Sequence, residues 1–185
     1  MTALFRLIIT AIVLTGCSTL TVEEKAQKRD QLDSMAEQAV AALIEKEPGL
    51  RQQIDSSKGY LVADMKLTKV PIVGAGGGEG VFIDKVNNER KYIEVGRFDI
   101  GGGWGARAYK ALLVIETDEV LERLNSGTWE FAAGVEASAG SAAADGSSSG
   151  LGQGYTLHVL SEAGASATAT ARVIRIKLNN KLNSD

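Results

Sequence analysis

The chain is short of the residues that most often carry chemistry. Among 185 residues there is one cysteine, Cys17, and one histidine, His158. A lone thiol forms no internal disulfide, so stability has to come from packing. No set of His and Cys ligands exists for a zinc site, and neither a metal nor a cofactor is implied. The phosphate-loop pattern G-x-x-x-x-G-K-[ST] is absent, as is a G-x-S-x-G nucleophile elbow. Asp99 and Glu116 are available carboxylates. An enzyme would need two carboxylates, or Asp99 with His158, to converge in a cleft. With one histidine, more often a structural residue than a base, no catalytic residue is assigned and a non-enzymatic domain is expected. Positive charge is also short: the net charge is −3. That balance gives no global field to draw nucleic acid, which is not expected as a partner, and any anion contact has to be local.

What is present begins with Arg6 and the apolar run Leu7 to Val13, too short to span a bilayer. Leu14-Thr15-Gly16-Cys17 follows, and the chain turns polar at Ser18 and Thr19. This is the build of a secretory signal. The four residues resemble the lipobox of bacterial lipoproteins. The resemblance implies a signal peptide over 1–16, diacylglycerol on the Cys17 thiol, acylation of its new amino group and membrane attachment. Ser18 rather than Asp after Cys17 implies sorting to the outer membrane, facing the periplasm. Residues 17–31 then hold the acylated Cys, a tether and the start of a helix; 32–178 form the domain; 179–185 are expected as a loose tail.

Thr21-Val22-Glu23-Glu24 is a capping box. Leu32, Met35, Ala36, Ala39, Val40, Leu43 and Ile44 recur at three- and four-residue steps and give one apolar stripe. The opposite face is acidic rather than Lys/Arg-rich, so the stripe is expected on the domain's own sheet rather than on a membrane. The charged start, Glu23 to Asp30, is expected to project. Pro48-Gly49 ends the helix, and a short second helix covers Leu50 to Ile54. Beyond Gly59 the period becomes that of strands: Gly59–Asp64, Thr68–Val73 with Pro71 at an edge or bulge, Val81–Ile83, Tyr92–Ile100 and Ala111–Ile115. Glycine clusters at 74–80 and 101–105 separate them. A helix over Glu119–Asn125, capped by Thr117-Asp118 and stopped by Gly127, precedes strands from Trp129 to Leu178. Ser141 to Gly152 is expected as a flexible hairpin tip, and a bulge is expected between Ala171 and Ile174.

Gly101 to Ala106 matches G-x-G-x-x-A. A dinucleotide site needs a helix directly after those glycines, and Arg107 to Ile115 is a strand pattern, so strand bending is the preferred role. Eight basic residues gather loosely in sequence: Lys66, Lys69, Lys85, Arg90, Lys91, Arg97, Arg107 and Lys110.

Lys58-Gly59-Tyr60, Leu67-Thr68-Lys69-Val70 and the stretch Gly74 to Val81 together resemble the SYLF, or Ysc84, domain family. The likeness continues through Gly101 to Ala106, Leu112 to Ile115, Leu124-Asn125-Ser126-Gly127 and Gly134 to Gly140. It implies an α+β domain with the amphipathic helix and short helices packed on a strongly curved, barrel-like antiparallel sheet. It also implies lipid binding through anionic head groups, with Lys69 and Gly74, Gly76, Gly77, Gly78 and Gly80 as the matching head-group region. A structural or adaptor lipoprotein with an envelope protein partner is the alternative. An apolar pocket near Trp104 and Tyr60 would favour lipid; an exposed apolar patch without one would favour a protein.

Overall fold

The computed structural model describes residues 20–140, 146–149 and 154–184. Cys17 and the expected signal peptide lie outside the described residues. The described chain is α+β, with four helices and a six-stranded antiparallel sheet. In chain order these are α1 (Val22–Lys46), α2 (Gly49–Ser56), β1 (Gly59–Lys69), β2 (Val73–Asp84), β3 (Glu89–Ile115), α3 (Asp118–Asn125), β4 (Thr128–Gly140), β5 (Gly146–Ser149), β6 (Tyr155–Leu178) and α4 (Asn180–Asn183).

The capping box forms as its spacing predicts. Glu24 N–H donates to Thr21 Oγ1 at 3.2 Å, and Thr21 N–H donates to Glu24 Oε2 at 2.8 Å. The α1 stripe is buried against the sheet through Leu32, Ala36, Ala39 and Leu43, which pack with Val62, Val81, Tyr92, Leu112 and Val114. The charged start of α1 does not project. Lys28 pairs with Glu79 at 2.6 Å, and Arg29 Nε donates to the Leu182 carbonyl at 2.8 Å. The expected loose tail is correspondingly ordered: α4 is capped by Asn179 Oδ1 and buries Leu182 under α1. A single apolar residue at the right place converts a polar C-terminus into part of the core.

Strand order is β1-β2-β3-β6-β4, with β5 beside β6 and β1 also paired to β3. β3 therefore has two partners on one side. Glu89–Ile100 pairs with β2, and Gly105–Ile115 pairs with β1. The exchange falls on Gly101–Gly105, which is strand rather than an interruption. Gly101, Gly103 and Gly105 have φ near +140° (141°, 139° and 140°), a conformation that side-chain-bearing residues avoid. Thr68–Val73 is not one strand either. β1 ends at Lys69, and Pro71 sits in a turn whose carbonyls accept from β3: Gly101 N–H to Ile72 at 2.9 Å and Gly103 N–H to Pro71 at 3.2 Å.

Inside β2 the glycines answer to β1. A Cβ at Gly76, Gly78 or Gly80 would lie 2.5, 2.0 and 2.0 Å from the carbonyl oxygens of Lys66, Asp64 and Val62. Only glycine lets the two backbones approach so closely. β6 is one strand from Tyr155 to Leu178. The bulge expected between Ala171 and Ile174 lies instead on its partner, where β4 slips between Ala133 and Glu136; β3–β6 keeps its register there and shifts between Ala108 and Tyr109. Of the expected hairpin tip, Gly146–Ser149 is a strand paired with Val159–Thr156; its other residues, 141–145 and 150–152, lie outside the described residues. The sheet does not close, so the barrel-like form is not part of the observed fold.

Alternation along β3 separates two cores. Odd-numbered Ile93, Val95, Tyr109, Leu113 and Ile115 face an inner core capped by α3, together with Trp129, Tyr155 and Ile176. Even-numbered Tyr92, Leu112 and Val114 face α1 and α2.

Candidate functional site

The two faces of β3 end differently at its glycine-rich middle. On the inner face the apolar row of β3 passes into Arg97 and Asp99, and that of β1 passes from Leu67 to Lys69. Arg97 donates from Nε to Asp99 Oδ1 at 2.8 Å, from Nη2 to Asp99 Oδ2 at 2.7 Å, and from Nη1 to the Tyr109 hydroxyl at 2.8 Å. This fork-on-fork pairing uses both carboxylate oxygens. Burial alone would lower the Arg97 pKa, but the bonds to Asp99 and the Tyr109 oxygen more than offset it and raise the value. Arg107 lies over the Tyr109 ring at 5.6 Å. Its pKa is lowered, first by burial and then by the positive charge of Arg97. Lys69 is 3 % exposed, and its Nζ has no hydrogen-bond partner.

Three of the eight basic residues, Lys69, Arg97 and Arg107, thus converge. Others serve elsewhere. Lys85 Nζ donates to the Ile54 and Asp55 carbonyls at the end of α2, both at 2.7 Å. Arg90 pairs with Asp33 at 2.8 Å, Lys91 with Glu89 at 2.7 Å, and Lys110 with Asp64 and Glu162, both at 2.9 Å. Lys66 is exposed on the outer face.

Of the head-group residues expected from the resemblance, Lys69 and Gly74 adjoin this cluster, since Gly74 pairs with both Lys69 and Asp99. Gly76, Gly78 and Gly80 are explained by the approach of β1 and β2, and Gly77 faces the Val95 carbonyl, 3.1 Å from where its Cβ would be. Asp99 and His158 do not converge. His158 is buried on the helix side of β6, between Glu47 Oε2 at 3.1 Å and Gln53 Oε1 at 3.0 Å. Glu116 accepts from Thr156 Oγ1 at 2.7 Å and from Gln53 Nε2 at 3.3 Å. Both are ties between the helices and the sheet.

On the outer face, beyond the reach of α1, the sheet is bare and apolar. Phe98, Ile100 and Trp104 of β3 stand beside Val73 of β2, Val173 of β6 and the turn residues Val70 and Ile72. Ile72 is 70 % and Trp104 73 % exposed. Scattered exposed apolar residues are ordinary; a contiguous group of this size marks a contact surface. A cavity of about 230 Å³ lies under α1 and includes Tyr60, Val40 and Ile44, but not Trp104. A second, of about 510 Å³, is lined by Leu20, Glu24, Glu79, Glu94 and Lys181 among others. The patch was not legible as such in the sequence, although Phe98, Ile100 and Trp104 share the even-numbered phase of β3, in which only Gly102 lies between them. Among the described residues no helix is long and apolar enough to cross a membrane. No protein-family model and no curated protein matches the chain.

Proposed function

We propose that the protein is a membrane-anchored envelope lipoprotein, held by acylated Cys17 at the periplasmic face of the outer membrane, whose non-enzymatic, SYLF-like domain binds lipid. The observation that carries this reading is the bare apolar face around Trp104, taken with the three-residue separation of Cys17 from Leu20 in the sequence. Leu20 and Glu94 line one cavity, and Phe98 follows four residues beyond Glu94 on the same face of β3, about 13 Å along the strand. Cys17 precedes Leu20 by three residues, a reach of about 10 Å. Acyl chains on Cys17 and the apolar face can therefore engage the same bilayer, and two weak membrane contacts on one body reinforce each other.

A second reading, an adaptor that docks an envelope protein on the same face, is favoured by one fact: Trp104 is exposed rather than recessed in a cavity. Co-sedimentation of the chain lacking residues 1–17 with neutral and anionic liposomes, at two salt concentrations, separates the two. Lipid binding predicts association that falls about tenfold in Trp104→Asp, the expected effect of losing a buried aromatic anchor. Absence of binding to any liposome, with the fold intact, rejects the lipid reading and leaves the adaptor.

A further inference from the structure

The lone histidine is buried with a hydrogen-bond acceptor on each side. The side chain of His158 is 4 % exposed. Its Nδ1 lies 3.1 Å from Glu47 Oε2, and its Nε2 lies 3.0 Å from Gln53 Oε1. The Gln53 amide is fixed in this sense, because its Nε2 donates to Glu116 Oε1 at 3.3 Å. Exchanging the two ends of the amide would set its oxygen against that carboxylate. A neutral imidazole carries one N–H and one lone pair, so it can satisfy only one of the two oxygens. Only the doubly protonated ring donates to both.

The charged groups that face the ring are both acidic: Glu47 at the end of α1 and, beyond the Gln53 amide, Glu116 at the end of β3. Its neighbours across the sheet, Leu112 on β3 and Ser147 on β5, are uncharged, as is Thr156, which donates to Glu116. These contacts tie three elements together. Glu47 is the C-cap of α1, and Gln53 belongs to α2, which has eight residues and buries only Leu50 and Ile54. Lys85 holds the far end of α2 through the Ile54 and Asp55 carbonyls. If the ring loses its second proton, a lone pair faces an oxygen and one tie is gone. The α1–α2 corner then rests on its few apolar contacts. That corner walls the smaller cavity, which Ile44 of α1, Arg51 of α2 and Tyr60 of β1 all line.

We propose that His158 is a proton-sensitive clasp holding the α1–α2 corner on the sheet. The clasp is closed while the ring carries both protons and loosens as pH rises and the second proton passes to water. It is independent of the lipid reading, since none of its residues belongs to the bare apolar face.

The test uses the full acylated protein in nonionic detergent micelles, with its histidine labelled for nuclear magnetic resonance. One histidine gives one set of ring signals, so the protonation of each nitrogen is read without assignment. Amide-exchange protection factors are followed in the same samples from about pH 5 to about pH 8, the span in which histidine changes charge. Both ring nitrogens are expected to be protonated at the acid end. As the second proton leaves, protection at Glu47, Leu50, Gln53 and Ile54 should fall about tenfold or more, the effect of one hydrogen bond to a charged group. Leu113, in the other core, should keep its protection. In Glu47→Gln the new amide can donate to an unprotonated Nδ1, so the fall should vanish while the ring still titrates. His158→Gln should abolish it too; should that variant not fold, Glu47→Gln, at a half-exposed position, carries the test alone. A ring that keeps one protonation state across the range, a ring that titrates without loss of protection in α2, or a fall that persists in Glu47→Gln overturns the clasp.

Discussion

Alanine placed at Gly80 tests what the glycines of β2 are for. The added Cβ would lie 2.0 Å from the Val62 carbonyl oxygen and 2.8 Å from the Ala63 Cα, both backbone atoms that cannot rotate away. β1 and β2 must separate locally, loosening ladder bonds and the packing of Val62 and Val81 beneath α1. Overpacking of this kind costs about 1–3 kcal/mol, and rigid neighbours put Gly80→Ala at the upper end, near 3 kcal/mol. For a chain of this length that is a fall in Tm of about 6–12 °C. Gly78→Ala should behave alike, since its Cβ would meet the Asp64 carbonyl oxygen at 2.0 Å. Gly102 is the control: nothing lies within 4 Å of its Cβ, and its φ is not positive. Gly102→Ala should be neutral or stabilising by about 0.5 kcal/mol. Thermal and urea unfolding of the three variants, read by circular dichroism, compares them directly. If Gly80→Ala unfolds with the parent yet loses ligand binding, strand approach is not the reason for the glycine and the argument fails.

Asp84 is fully buried at the β2–β3 turn, where it accepts from the Val86 and Asn87 backbone N–H groups and the Asn87 and Asn125 amides. Burial pushes its pKa up, but the bonds from Asn125, Asn87 and Val86 outweigh this and hold it below the usual value. Its contribution is thus complete above about pH 4 and is lost as pH falls through the depressed folded value. Asp84→Asn should flatten acid unfolding in that range and cost about 2 kcal/mol at pH 7, because its own NH₂ would face two amide donors; parallel acid titrations of the two proteins check both. Leu43 is fully buried between α1 and the sheet, and Leu43→Ala should cost about 2–5 kcal/mol in urea unfolding. Leu182→Ala should instead release α4 from α1, seen as faster amide exchange at Leu182 and Asn183 with a smaller loss of global stability.

Local signals are legible in the sequence, and non-local ones are not. The capping box, the α1 stripe and the Gly127 stop depend on neighbours within a few residues, and all three formed as spaced. Gly74–Gly80 and Gly101–Gly105 read as breaks because glycine's cost in a strand is local, whereas its reason is not: across the sheet, β1 carbonyl oxygens lie 2.0–2.5 Å from the missing Cβ of Gly76, Gly78 and Gly80, and Gly101, Gly103 and Gly105 take a positive φ where β3 changes partner. α4 and β5 were missed for the same cause. Neither has much propensity of its own, and each exists because α1 or β6 offers it a partner. The cation cluster did leave a trace. Arg97 and Asp99 continue the inward phase of Ile93 and Val95, and Lys69 continues that of Met65 and Leu67. Charges in the buried phase of a strand are a better pointer to a site than the tally of basic residues along the chain.

The position of β6 has a consequence for how the molecule comes into being. β6, the last of the described strands in chain order, lies between β3 and β4 in the sheet, matched to β3 from Ile93–Leu178 at one end to Ile115–Tyr155 at the other. No order of assembly that follows synthesis can complete this sheet; β3 and β4 wait side by side for a strand that does not yet exist. Contacts between residues so far apart in the chain make folding slow, in the range of milliseconds to seconds, and concentrate it after β6 has been made. A truncation ending anywhere before Tyr155 would not trim the protein but leave β3 and β4 without the neighbour that joins them.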